Sequence, residues 1–335
     1  MAYAAIVIGL ALLVTGGELL VRGSVRMAER LGVSPLLIGL TLVGFGTSMP
    51  ELVTSVQAAV IGAPEIAVGN IVGSNLANLL LILGGSALIA PIAVQSTALK
   101  RDGGFVVATA CLFAAIGWTV GLIRPVGVAL VLLLSWYMVR AYRQERQLAP
   151  GDRDHGAAFD RAEAFELTDP ALKPQAQQGR RTKNLLIPLA TAVVGLAIII
   201  LGGRLLVSGA VDLARLLGFS EAVIGLTVVA IGTSMPELIT SMVAALKRQA
   251  DVAFGNVLGS NLYNTLGIGG SVALLSPTPI PAQIANFDSI LVIGASALLL
   301  LFAWSGWRIS RREGACFLLL YAVYVAWLVA NPQAS

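Results

Sequence analysis

Two glutamates lie inside apolar stretches that are long enough to cross a bilayer, and each ends the same six-residue motif. The motif GTSMPE ends at Glu51 and again at Glu237. A carboxylate near the centre of a bilayer costs about 3 kcal/mol or more, so a residue of this kind is expected to have a functional role. The structural alternative is a protonated glutamate that holds two helices together. We expect a cation to balance each carboxylate.

The first copy of the motif places several oxygen atoms on one side of a helix. Thr47 and Ser48 precede Glu51 by four and three residues, and side chains at these spacings share a helix face. The proline of the motif removes a backbone donor and clashes with the preceding turn. We therefore expect an opened helix with free carbonyl oxygens near Gly44. Irregular backbone at this depth is tolerated where it lines a cavity or packs in protein.

A second pair of segments adds neutral oxygen donors after each motif. These segments are GNIVGSNLAN at 69–78, where Ser74 and Asn78 share a face, and GNVLGSNLYN at 255–264. The donors offer no sulfur or imidazole, and hard cations such as calcium and sodium prefer oxygen ligands. Two glutamates balance one divalent ion. The second half repeats the donor set with Thr233, Ser234, Glu237, Asn256, Ser260, Asn261 and Asn264.

Structural roles are open alternatives for the neutral residues. Small and polar residues in membrane helices often serve helix packing alone. Capping of the broken helices is at least as good an alternative to ion contact for four asparagines, which are Asn70, Asn75, Asn256 and Asn261.

The composition indicates an all-α polytopic membrane protein. The chain is 57% hydrophobic and only 12% charged, with a mean hydropathy of +0.85. A soluble domain carries about 25% charged residues, and a spanning helix needs roughly 20 apolar ones. The ten predicted spans are 2–21, 35–61, 66–90, 103–123, 125–142, 185–206, 221–246, 251–275, 287–304 and 314–330. Glu65, Asp251 and Asp288 fall at span ends, where we expect them to face water.

The chain is an internal duplication. IGLTLVGFGTSMPE at 38–51 matches IGLTVVAIGTSMPE at 224–237 in eleven of fourteen positions, without a gap. Each half has five spans, so the second half must enter the membrane from the opposite side, as in the inverted repeats of secondary transporters. We predict one repeat at 1–142 and one at 185–335, with helices 2, 3, 7 and 8 broken. The polar segment 143–184 is predicted to be a largely disordered linker, shorter than an ordinary domain.

The basic residues predict the orientation. Of the 22 Lys and Arg residues, only Arg124, Arg204 and Arg215 fall on the side opposite to the linker. Positive residues concentrate on the cytoplasmic side, so both termini are predicted to lie outside the cell membrane and the linker in the cytoplasm. The positive net charge is therefore a signal of topology, and we expect no nucleic-acid partner.

The two motifs and the segments that follow them closely resemble the signature repeats of the calcium/cation antiporter superfamily, in its sodium/calcium exchanger branch of prokaryotic type. The resemblance covers nearly the whole chain. It implies exchange of cytoplasmic calcium for external sodium by alternating access, with four ion sites between spans two, three, seven and eight. It also implies that the first and sixth helices slide, and the pairs Gly16-Gly17 and Gly202-Gly203 fit loosely packed moving helices.

Carried over by position, the resemblance implies ten side-chain ligands: Thr47, Ser48, Glu51, Ser74, Asn78, Thr233, Ser234, Glu237, Ser260 and Asn264. It also implies sodium contacts from the carbonyls near Gly44 and Ala230. Some members carry aspartate at the position of Asn264, or at both that position and the position of Asn78. Both residues are asparagine in this chain, so the site has only two formal negative charges and potassium co-transport is less expected. The implied partners are calcium, sodium and the lipid bilayer. We expect no cofactor and no obligatory protein partner.

Two other transport functions remain as alternatives. A proton/calcium antiporter of the same fold would use the two glutamates as proton carriers. A cation channel is a less favoured alternative. An intramembrane serine hydrolase would need a histidine or lysine base beside a buried serine, and no apolar segment offers one. We therefore do not expect an enzyme.

Overall fold

Helices account for nearly all of the regular structure. The computed structural model describes residues 2–31, 48–94, 99–147, 157–168 and 185–331. The helices before the linker are α1 (Ala2–Arg30), α2 (Met49–Val60), α3 (Pro64–Ile89), α4 (Gly104–Thr119) and α5 (Arg124–Glu145). Helix α6 (Ala157–Thr168) lies within the linker. The helices after the linker are α7 (Leu186–Leu217), α8 (Glu221–Thr233), α9 (Met235–Leu246), α10 (250–275), α11 (Ile284–Gly306) and α12 (Arg311–Ala330).

The described helices form a polytopic membrane fold. Six of them, α1, α3, α5, α7, α11 and α12, are long and apolar enough to cross a membrane. The pair α8 and α9, bent by 50° where they meet, makes a seventh if it counts as one span. Helix α4 is apolar but shorter. The sequence predicts ten spans, and part of the second, at 35–47, lies outside the described residues.

Two short contacts join the ends of the helices. Strand β1 (Ile92–Ala93), after α3, pairs antiparallel with β2 (Arg308–Ile309), before α12. An isolated bridge between Leu122, before α5, and Thr278, after α10, makes the equivalent link with the roles of the two halves exchanged. Each contact connects one half of the chain to the other, so the halves interlock.

The prolines of the two motifs lie where helices begin. Each occupies the first turn of its helix, α2 or α9. The missing N–H of a proline costs nothing there, because the first turn has no intrahelical acceptor for it. The 50° bend between α8 and α9 falls at this point.

Helices α3 and α10 differ from the prediction. The sequence predicts breaks in both, but the structure shows continuous helices that widen into π-helical segments at Ala77–Ile82 and Tyr263–Ile268. Neither segment contains proline, so no backbone donor is removed and the hydrogen bonding shifts register without ending. Such π segments occur frequently at functional sites.

The first helices of the two repeats, α1 and α7, pack closely as an antiparallel pair. Glycines recur every seven residues on both helices, at Gly9, Gly16 and Gly23 and at Gly195, Gly202 and Gly209. A Cβ atom on Gly16 would lie 2.8 Å from the backbone nitrogen of Ile199. The expectation of loose packing is therefore wrong for Gly16 and Gly202, because their missing side chains let the two backbones touch.

This contact predicts a stability difference between two glycine substitutions. Gly16→Ala should lower the thermal unfolding midpoint in detergent by a few degrees, because overpacking of this kind costs about 1–3 kcal/mol. Gly294→Ala is the matched control, since Gly294 is also helical but has nothing within 4 Å of its added Cβ. A midpoint for Gly16→Ala equal to or above that of the control would contradict the close contact.

The linker contains a helix that the sequence did not predict. Helix α6 packs against α9 and α10, with Ala157, Ala158 and Ala164 buried. These small residues let the helix approach its neighbours closely, which a composition average over the whole polar segment does not reveal. The expectation of a largely disordered linker is therefore wrong for 157–168.

Asp288 is buried and does not face water as expected. Its Oδ1 accepts a 2.8 Å hydrogen bond from the hydroxyl of Tyr324, and the residue has no exposed surface. Its counterpart in the first repeat, Asp102, is also buried and accepts a 3.3 Å hydrogen bond from Tyr137. Asp102 lies just before α4, and its bond links that helix to α5. Asp288 lies in α11, and its bond links that helix to α12.

Candidate ion-binding site

The two motif glutamates lie in the first turns of α2 and α9. Glu51 and Glu237 are each 2% exposed. The backbone N–H groups at a helix N-terminus favour negative charge, so both carboxylates are held where the local field stabilises them.

The motifs of the two repeats contact each other. Ser234, at the start of α9, donates a 3.1 Å hydrogen bond from its hydroxyl to Oε1 of Glu51 in the other repeat. On the opposite side, Nη2 of Arg161 donates to Oε1 of Glu237 at 3.2 Å and also to the hydroxyl of Ser48. Four predicted ligands, Ser48, Glu51, Ser234 and Glu237, therefore meet in one buried cluster.

The predicted ligands on α3 and α10 are buried as well. Ser74 donates to the carbonyl oxygen of Ala230 at 3.5 Å. The amide nitrogen of Asn78 donates to Asn261 at 2.9 Å. Among the buried oxygens of the described residues that have no hydrogen-bond partner, five belong to predicted ligands: Oε2 of Glu51, Oε2 of Glu237, Oδ1 of Asn78, Oδ1 of Asn264 and Oγ of Ser260.

Unpartnered buried oxygens need an explanation, since most buried polar atoms are hydrogen-bonded. The five atoms are all acceptors of the type that hard cations take as ligands. The described part of the chain has no group of three or more His, Cys, Asp or Glu residues that could hold a metal. Negative charge at this cluster therefore comes from the two glutamates, and the other donors are neutral.

Three predicted ligands remain, and the structure describes one of them. Thr233 is buried, and its hydroxyl donates to Oδ1 of Asn70 at 3.0 Å and lies 3.1 Å from the carbonyl oxygen of Val229. Thr47 and Gly44 lie outside the described residues.

The asparagines at the start of α3 and α10 support the backbone of the glutamates. Asn70 donates to the carbonyl oxygen of Glu51 at 3.2 Å. Asn256, its counterpart, donates to the carbonyl oxygen of Glu237 at 3.3 Å. The amide nitrogens of both asparagines therefore bind backbone oxygens, whereas Oδ1 of Asn256 is buried without a hydrogen-bond partner among the described residues.

The other two asparagines join the repeats. The side chain of Asn261 donates to the backbone oxygen of Asn75 at 3.3 Å. Asn75 in turn donates to the hydroxyl of Thr265 at 2.9 Å. These bonds cross between α3 and α10 next to the π segments, and so they fix the distance between the two walls of the cluster.

Arg161 is the residue of the cluster that the sequence did not predict. It has no exposed surface, and its guanidinium carbon lies 4.6 Å from the ring centroid of Tyr263. It adds one positive charge beside two carboxylates. The sequence offers one signal for a packed helix at this place, which is the recurrence of alanine in α6 within an otherwise polar segment.

The fold and the cluster together define a class of protein: a polytopic ion transporter in which two repeats contribute matching carboxylates. The comparisons with known proteins identify the family. A family model described as sodium/calcium exchanger protein matches residues 1–143 and 187–330, so the chain belongs to the sodium/calcium exchanger family. It is therefore a transporter of the membrane, and not an enzyme.

Individual relatives match over nearly their full length. The chain is 35% identical to the putative antiporter CaxA of Alkalimonas amylolytica, over 95% of this chain and 96% of the relative. It is 32% identical to the sodium/calcium exchanger MaX1 of Methanosarcina acetivorans, over 96% and 97%. A solved structure of the sodium-calcium exchanger NCX_Mj superposes with a TM-score of 0.60 at 31% identity, covering 97% of each chain.

Proposed function

We propose that this protein exchanges calcium for sodium across the membrane by alternating access. The observation that carries the proposal is the meeting of Glu51 and Glu237, one from each repeat, in a buried cluster of oxygen atoms. Two carboxylates neutralise one calcium ion, and the neutral oxygens nearby supply the rest of a hard-cation shell. Sodium takes the same kind of ligand, so the two ions compete for one set of groups.

The proposed ligands keep the set that the resemblance implies. The carboxylates of the two glutamates bind the divalent ion, and the buried hydroxyl and amide oxygens complete the shells of calcium and sodium. The full set is Thr47, Ser48, Glu51, Ser74, Asn78, Thr233, Ser234, Glu237, Ser260 and Asn264, with the carbonyls of Gly44 and Ala230 for sodium.

We propose ten spans in two inverted repeats, 1–142 and 185–335, joined by the cytoplasmic linker 143–184. The side chain of Lys247 donates to the carbonyl oxygen of Leu167 at 2.9 Å, so the basic end of α9 and the linker helix lie at the same face. Lys247 and Arg248 follow α9 directly, and basic residues of this kind are expected at a cytoplasmic surface. Both termini then lie outside.

Flux into proteoliposomes tests the proposal. Vesicles loaded with sodium and diluted into sodium-free calcium buffer, at equal pH and with the membrane potential clamped, should take up calcium. Vesicles loaded with potassium or with an organic cation are the controls and should not. Sodium-independent uptake that follows an imposed pH gradient would contradict sodium coupling and support the proton/calcium alternative.

The same preparation separates a transporter from a channel. Uptake should saturate with calcium and require sodium on the opposite side, because one set of ligands serves both ions in turn. Ion currents far above transporter turnover, without a requirement for counter-ion, would support a channel instead.

A further inference from the structure

A cavity of about 400 Å³ lies at one end of the molecule, and both repeats contribute to its walls. The walls are the end of α3 and the chain after it (89–92), Ala245 and Leu246 of α9, Arg248 after α9, and Arg311 at the start of α12. Two of the lining residues carry positive charge and none is acidic. The other lining side chains are apolar, so the cavity combines cationic groups with a hydrophobic surface.

The guanidinium of Arg311 is attached to the wall of the cavity. Its Nη2 donates a 3.2 Å hydrogen bond to the carbonyl oxygen of Ile89, the last residue of α3. A guanidinium has five N–H donors, so this bond leaves others for a ligand. The planar fork of an arginine suits two oxygens of one phosphate group, and an attached side chain loses less entropy on binding.

Arg248 has a backbone conformation that favours glycine. Its φ is 59°, in the left-handed region that L side chains rarely adopt. The counterpart in the first repeat, 186 residues earlier, is Gly62 with a φ of 86°. The same turn therefore carries glycine in one repeat and arginine in the other. The turn itself has no need of the arginine, whose side chain lines the cavity.

The corresponding place at the other end of the molecule is bridged by a hydrogen bond. There the hydroxyl of Ser276 donates to the carbonyl oxygen of Ala59 at 3.0 Å, which joins the end of α10 to α2. The 186-residue offset relates these two residues to Ala90 and Ala245, and both of these line the cavity. Alanine has no hydroxyl to make the bond, so the gap between α3 and α9 stays open.

One arginine recurs at both ends of the molecule. Nε of Arg124 donates to the carbonyl oxygen of Leu274 at 3.4 Å, much as Arg311 donates to Ile89. The two ends therefore differ in the open gap and in Arg248, where the other end has glycine. One guanidinium on a carbonyl oxygen is a contact at a helix end, whereas two beside an open cavity can bind an anion.

The cavity lies at the level where the helices end, next to exposed apolar side chains. Leu246 in its wall is 67% exposed, and Leu88, which precedes the lining segment, is 46% exposed. In a membrane protein such side chains contact acyl chains, and the ends of the spanning helices lie near the headgroups. Lys247 binds the linker helix, so this end is the proposed cytoplasmic face. Basic pockets between helices on that side suit anionic headgroups.

We propose that this cavity binds the phosphate of one anionic phospholipid from the cytoplasmic leaflet. Arg248 and Arg311 hold the phosphate, and the acyl chains lie against Leu246 and Leu88. The segment 89–92 belongs to the first repeat and both arginines to the second, so a bound lipid joins the repeats at this end. The proposal goes beyond the exchange of ions and takes only the orientation from the proposed function.

Native mass spectrometry of the delipidated protein, titrated with short-chain phosphatidylglycerol, tests the proposal. One molecule should bind more tightly than any further ones. Phosphatidylcholine should bind there about tenfold more weakly, because its ammonium group is repelled by the two arginines. Arg248→Gly should lower the affinity of this first site about tenfold, because it removes a charge-assisted hydrogen bond. The thermal unfolding midpoint without lipid should not fall, since the first repeat has glycine in the same turn.

A second variant narrows the cavity and leaves both charges in place. Ala90 and Ser276 have nearly equal φ angles of −141° and −140°. The hydroxyl in Ala90→Ser should therefore donate to the carbonyl oxygen of Ala245, as Ser276 donates to Ala59. We expect this variant to bind the first phosphatidylglycerol more weakly than the unmodified chain. Unchanged affinity would overturn the assignment of the lipid to the open gap.

Two controls separate this site from general attraction between basic residues and anionic lipid. Arg140→Gln removes an exposed arginine that lies over Trp136, and Ser276→Ala changes the other end of the molecule. Both should keep the first-site affinity. Equal weakening in Arg140→Gln and Arg248→Gly would overturn the proposal, and so would equal affinity for phosphatidylcholine.

A soluble phosphate ester distinguishes the lipid from a free anion. Glycerol phosphate carries the same charged group without acyl chains and should bind far more weakly than phosphatidylglycerol. Binding of glycerol phosphate as tight as that of the lipid would overturn the lipid as the ligand. Calcium flux enters none of these measurements, so failure of the proposed exchange would not change their result.

Discussion

Calcium exchange should be lost when either motif glutamate becomes glutamine. Glu51→Gln and Glu237→Gln each remove one of the two negative charges that balance the ion but keep the shape of the side chain. Loss of one partner from a buried charge pair costs about 3–5 kcal/mol, which is roughly a 100-fold or greater loss of affinity. Sodium-driven calcium uptake in proteoliposomes should therefore fall to background in both variants.

The control for this experiment is a glutamate outside the cluster. Glu18→Gln changes an exposed side chain that pairs with Arg22 one turn away on α1, and its flux should match that of the unmodified chain. All three variants should insert and elute as a single species in detergent. Calcium flux that survives in either motif variant would show that the exchange site lies elsewhere.

Asn264→Asp should change the balance between calcium and sodium. Oδ1 of Asn264 is buried without a partner among the described residues, and the substitution places a third carboxylate beside the proposed ions. Calcium affinity depends strongly on the number of charged ligands, so we expect an increase of about tenfold. The measurement is inhibition of calcium binding by sodium, whose midpoint should shift to a different sodium concentration.

A neighbouring asparagine provides the matched control. Asn261 donates from its amide to the backbone of Asn75 and accepts from Asn78, so its polar atoms already serve the protein. Asn261→Asp loses the donor and should lower the thermal stability while the ratio of calcium to sodium affinity changes little. Identical ion dependence in Asn264→Asp and the unmodified chain would show that Asn264 is not a ligand.

The sequence predicts much of the fold and the site because the signal is duplicated. Matching motifs at Glu51 and Glu237 mark the two walls of the cluster, and the odd number of spans in each repeat predicts their opposite orientation. The structure brings these walls together through Ser234. It also shows that Asn70 and Asn256 hold the backbone of the glutamates, which the motif spacing left open.

Other features depend on contacts that no local pattern reveals. Arg161 lies in a polar segment whose average composition predicts disorder. It reaches the cluster because α6 packs closely against Gly255 and Gly259 of α10. Asp288 falls at the end of an apolar stretch, where solvent is the default expectation, but Tyr324 from a helix 36 residues away buries it. The widening of α3 and α10 into π segments reflects a shift of backbone register, which no proline or glycine pattern specifies.

The central claim is that one glutamate from each repeat binds the same ion. Diffraction from crystals soaked to saturation with strontium, a heavier analogue of calcium, tests this most directly. We predict one dominant anomalous peak that contacts carboxylate oxygens of both Glu51 and Glu237 at coordination distance, about 2.3–2.6 Å for calcium and slightly longer for strontium. Two separate peaks, each beside one glutamate alone, or a peak away from both would contradict the claim.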